Sequence, residues 1–84
     1  MVLAMRTTMY AIKSVKGRHV GKYYSWKEKD GPSWGYLENC ELMFSRRDKT
    51  EDFMGIDRTF IAWSTEDKCV IVEVQVDYYK SSKV

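Results

Sequence analysis

The stretch that most constrains this chain is CVIVEVQVDYY, residues 69 to 79. Val70, Val72, Val74, Val76 and Tyr78 fall on alternate positions, and Glu73, Gln75 and Asp77 lie between them. Successive strand side chains point to opposite faces, so a period of two describes a β-strand with one face in a core and one in water. A strand buried on both faces would read as a continuous apolar run. The expected fold class is therefore α+β, with a small antiparallel or mixed sheet of about four strands and one helix packed on one face.

The other elements follow from the N-terminus. Residues 9 to 15, MYAIKSV, suit a first strand, and Lys16, Gly17 and Arg18 make a turn into HVGKYYSW, residues 19 to 26. The two runs predict a hairpin over 9–26, Gly17 supplying the positive φ of a tight connection. Residues 27 to 35, KEKDGPSWG, hold the single proline, two glycines and four charges, which marks a loop. Trp34 on that loop reads as a lid folded back on the core, with a binding hot spot as the alternative. Residues 36–39 suit one helical turn, and 41–45 a short strand.

A helix is expected over about 48–63. Ser45 or Asp48 can cap it, and Asp48 with Glu51 has capping-box spacing. Phe53, Ile56, Phe60 and Trp63 recur at helical intervals, a stripe suited to lie on the valine face of the last strand. Gly55 and the β-prone run from Thr59 to Trp63 leave a competing strand over 58–64 open.

With 84 residues the chain is read as a single domain over 1–84, residues 1–8 and 80–84 lying loose. Three Trp, six Tyr and three Phe can fill a small core or form a contact surface, and burial of some of them between subunits in a homodimer is the expectation. Residues 1–5 are too short for a signal-peptide core, and no apolar run is long enough to span a bilayer. A cytoplasmic protein that touches no membrane, with Cys40 and Cys69 as free thiols, is the expectation.

No residue pattern carries catalysis. His19 is the lone histidine and has no motif partner, the two cysteines are too few for a recognisable zinc set, and the glycines form no phosphate-binding loop. The adjacent acid pairs Glu51-Asp52 and Glu66-Asp67 read as cap and turn residues. The chain is therefore read as a non-enzyme without cofactor or metal.

Functional content lies in the charge distribution. Residues 1–29 hold seven Lys or Arg against one acid, and residues 30–84 hold seven against eleven. Lys16, Arg18, Lys22, Lys27 and Lys29 interleave with Tyr23, Tyr24 and Trp26, and with Trp34 these form the expected partner-binding set. Cations beside flat rings suit single-stranded nucleic acid. They also suit an acidic protein surface, or an edge strand protected against aggregation, and these two readings come before nucleic acid.

YAIK at residues 10–13, Gly17, Gly21-Lys22-Tyr23, Trp34 with Leu37 and Cys40, Leu42 to Phe44 and Val70 to Val74 together resemble a set of small phage and prophage proteins of unknown function. Those proteins open with a YVIK-like strand and close on an IVEV-like one. The resemblance covers about residues 9–76. This chain departs from it in the KEKDGPS loop, in residues 54–64 and before Met9. It implies a compact α+β fold and a phage-encoded accessory protein that binds and inhibits or redirects a bacterial host or defence protein. A nucleic-acid-binding protein using the basic aromatic hairpin, residues 13–29, is the alternative.

Overall fold

The computed structural model describes residues 2–81, and side-chain surroundings for residues 6–77. It is an α+β fold whose strands β1 (Val2–Gly17), β2 (Tyr23–Lys27), β3 (Gly31–Gly35) and β4 (Asp67–Ser81) form one antiparallel sheet in the order β3-β2-β1-β4. Between β3 and β4 come a 3-10 turn (Leu37–Asn39) and helices α1 (Arg47–Ile56) and α2 (Arg58–Trp63).

The strand expected from Met9 lies in the C-terminal half of β1, and residues 2–8 and 80–81, expected loose, are instead strand: β1 starts at Val2 and pairs with β4 from Val2↔Ser81 to Gly17↔Asp67. The 9–26 hairpin forms, although β1 and β2 share a single register pair, Lys13↔Tyr23. Two expectations are corrected. Residues 41–45 form no strand, only an isolated bridge of Phe44 to Tyr10. The fourth strand instead comes from the expected loop, because Gly31 at φ 75° turns the chain sharply and lets residues 31–35 pair back on β2. Its proline, Pro32, sits on an edge strand, where a missing N–H is tolerated. Residues 82–84, expected loose, lie outside the described residues.

Burial along β4 alternates over residues 72–77, where Val74 is buried, Val72 and Val76 are half-buried and Glu73, Gln75 and Asp77 are exposed, whereas Cys69, Val70 and Ile71 are all half-buried. The side chain of Tyr78 lies outside the described residues. The face assignment is corrected. Residues opposite one another on a ladder share a face, and the valines stand opposite Lys13, Ala11, Met9 and Thr7. The buried core is Ile12, Tyr24 and Phe60, flanked by Trp34, Leu42, Phe44, Phe53, Met54 and Cys69. Ile12 stands opposite Ile71, and Ser14 opposite Cys69. The helices therefore cover the face of Ile71 and Cys69, and the valines occupy the other. The run from Cys69 to Val72 is apolar at both parities, and alternation alone does not say which face a helix covers.

The single helix expected over 48–63 is two helices broken at Asp57, whose backbone is extended and whose Oδ1 accepts the Phe60 N–H at 2.8 Å. That bond caps α2. Residues 58–63 are helical, which settles the helix-or-strand alternative. The break keeps Phe53 and Phe60 inside but turns Ile56 out to 75% exposure and Trp63 to 48%. Neither Ser45 nor Asp48 caps α1. Arg46 is the N-cap and offers no side-chain cap bond, while Asp48 in the first turn pairs with the Arg46 guanidinium at 2.6 Å.

Tyr24 is fully buried, ring-edge on to Trp34 and Phe60, and its hydroxyl has no hydrogen-bond partner among the described residues. Burial, reinforced by the nearby Asp57 carboxylate, pushes this phenol up to about 12. Tyr24→Phe removes a desolvated polar group and keeps the ring, so it should be neutral or stabilising by about 1 kcal/mol. Urea denaturation checks this, and a loss of more than about 1 kcal/mol would contradict it.

Candidate functional site

The fold divides the basic aromatic set. Tyr24 is core, and Trp34 packs against the core with its Nε1 buried, the lid role rather than an outward one. Tyr23 is half-buried, with the Lys13 ammonium 5.6 Å from its ring centroid. Trp26 is 43% exposed. Arg18 pairs with Glu66 at 3.4 Å, and Lys27 with Glu41 at 3.0 Å. The hydrogen bond and charge of Glu41 hold the Lys27 ammonium above its usual range. Lys16, Lys22 and Lys29 are exposed and belong to none of the ion pairs among the described residues. Folding thus brings acids from the C-terminal part of the chain onto the basic hairpin and partly neutralises it.

His19 has a partner that no local motif announced. The Asp67 side chain, fully buried, accepts from the His19 backbone N–H at 2.7 Å and from Ser14 Oγ at 2.9 Å, and its second oxygen lies 2.8 Å from His19 Nδ1. The imidazole stacks on Trp34, with centroids 4.7 Å apart and planes within 3°. Burial works against ionisation of Asp67, but the bonds from His19 and Ser14 outweigh it and hold the carboxyl below its usual range. Ser14 Oγ is spent on Asp67 and Lys16 O, so it is not aligned on the imidazole as a nucleophile. The cluster fastens the β1–β2 turn to the start of β4.

The cysteines are free and half-buried. Burial pushes the Cys40 thiol up, and burial followed by the Asp67 charge pushes Cys69 to about 11, so both stay protonated and weakly nucleophilic at neutral pH. Among the described residues no three His, Cys, Asp or Glu side chains gather as a metal-ligand set, and no helix is long and apolar enough to cross a membrane.

The face that the helices cover carries an apolar band outside the core. Trp26 shares its face of β2 with Tyr24 but reaches past the buried cluster. Beside it lies a hollow of about 280 Å³ lined by Trp26, Leu42, Phe53, Asp57 and Thr59. A second hollow of about 580 Å³ includes Phe44, Lys49, Asp52, Phe53 and Ile56 in its lining. Phe53 lines both, so Trp26, Phe53 and Ile56 border one continuous stretch of surface. Sequence reading singled out Trp26 but placed Ile56 in the core, because a helical stripe carries no sign of a break unless Asp57 is read as a cap. Comparison of the chain with protein families, characterised proteins and solved structures found no match.

Proposed function

We propose that the chain is a non-catalytic binding module, a phage-encoded accessory protein that acts in the cytoplasm of a bacterial host as a homodimer. It binds a host or defence protein and inhibits or redirects it. The observation that carries the reading is the exposed band from Trp26 past Phe53 to Ile56. Large apolar side chains beside hollows suit the anchored, desolvated contacts that dominate protein–protein affinity. Lys49 and Asp52 at its border supply a polar rim. Ion pairing of Arg18 and Lys27 weakens the case for a phosphate-binding hairpin.

The test is capture from bacterial lysate with and without nuclease, together with oligonucleotide anisotropy. A discrete protein should be retained after nuclease treatment and lost with Trp26→Ala, which is expected to weaken binding by at least about 2 kcal/mol, roughly thirtyfold. Salt-sensitive micromolar binding to single-stranded oligonucleotides, abolished by Lys16→Glu with Lys22→Glu, would replace this reading with the nucleic-acid one.

A further inference from the structure

The two edges of the sheet are unequal. β3 is five residues long and carries Pro32, whereas β4 runs for fifteen residues without proline or glycine. Long edges without such protection are templates for another strand.

Hydrogen bonds on β1 show which groups of β4 remain free. Tyr10 exchanges bonds with Phe44, and Ser14 with Lys22 and Gly21, all on the β2 side of β1. Backbone groups alternate sides along a strand, so Met9, Ala11 and Lys13 point towards β4, where they stand opposite Val74, Val72 and Val70. The valine N–H and C=O groups are therefore used within the chain, and those of Ile71, Glu73, Gln75 and Asp77 line the outer edge.

We propose that this edge pairs antiparallel with the same edge of a second copy, about a two-fold axis at Val74. The proposal rests on the homodimer reading above and assigns its surface and register. Outward groups must meet outward groups, so odd-numbered residues pair with odd-numbered ones and the axis passes through a residue. An axis at Glu73 would set that carboxylate against its own copy, and one at Gln75 would set Glu73 against Asp77 twice. Moving the axis to Val72 would oppose Asp77 and Asp67. An axis at Val74 leaves no acids directly opposed: Glu73 faces Gln75, Val72 faces Val76, and Val74 faces itself. Axes at Ile71 or Val76 also keep acids apart but pair only 67–75 or 71–81, whereas the Val74 axis uses the whole of β4, Asp67–Ser81. Gln75 Nε2 donates to Thr8 Oγ1 at 2.9 Å and has a second N–H free for Glu73 of the copy. Isologous contacts of this kind close at two subunits.

Residue 75 tests pairing along this edge, because its side chain is exposed and its backbone N–H faces outward. Light scattering across micromolar concentrations should give about twice the 9.9 kDa of one chain. Gln75→Glu sets two acid pairs opposite each other and should weaken the dimer roughly tenfold, while Gln75→Lys sets two opposite-charge pairs and should tighten it by a similar factor. Gln75→Pro removes an outward donor and no bond to β1, and should give a monomer. Thermal melts at low concentration confirm folding, and the Glu and Lys variants carry the test if the proline variant does not fold. A wild-type chain that stays monomeric at high micromolar concentration overturns both the edge and the homodimer reading. A dimer indifferent to all three substitutions overturns the edge alone, and neither result bears on capture of a bacterial protein through Trp26.

Discussion

Gly17→Ala is expected to destabilise the protein by about 4 kcal/mol or more, enough to unfold much of a domain this small. Gly17 holds φ 118°, a region that side-chain-bearing residues rarely enter, and it closes the ladder opposite Asp67. A Cβ at that position would overlap the Glu66 carbonyl oxygen and lie 2.7 Å from the Asp67 Cα. Both are backbone atoms, so relief requires β1 and β4 to separate where Asp67 binds the turn. Gly21→Ala is the control: φ is 85°, but no atom lies within 4 Å of the added carbon, so only conformational strain of about 1–2 kcal/mol remains. Urea denaturation of both variants measures the difference. Equal losses would show that the close approach at Gly17 is relieved without cost.

Gly17 also illustrates what was legible in the sequence. A glycine between two strand-like runs marked the hairpin, and Cys69–Tyr79 announced a strand whose burial alternates over residues 72–77. These signals are local, carried by backbone freedom and side-chain period. The face covered by the helices was not legible, because Ile71 and Cys69 are as apolar as the valines beside them. Nor were the pairings that reshape the basic hairpin. Glu66 lies 48 residues from Arg18, and Asp67 lies 48 from His19. A charge count by segment treats such groups as independent, whereas the β1–β4 ladder brings them together. Of the acids read as turn residues, Glu66 lies in the turn and Asp67 opens β4, where it accepts from Ser14 of β1 and His19 of the β1–β2 connection.

Asp67→Ala should cost about 3 kcal/mol, since it leaves the His19 N–H, the Ser14 hydroxyl and the His19 ring nitrogen without their shared acceptor. Asp67→Asn should cost less, because an amide oxygen still accepts from Ser14 and the backbone, but it removes a titrating group. The direction of the pH effect follows from the carboxyl being held below its usual range in the folded protein. The unfolded chain then binds the proton more readily, so this contribution is fully present above the unfolded value of about 3.9. It declines as pH falls through that value and is lost below the folded one. Stability of the wild-type chain should therefore drop more steeply below about pH 5 than that of Asp67→Asn, the two curves converging in acid. Denaturation midpoints from pH 7 down to pH 3 provide the measurement. Parallel curves over that interval would mean that the bonds to His19 and Ser14 do not favour the ionised carboxylate over the neutral one.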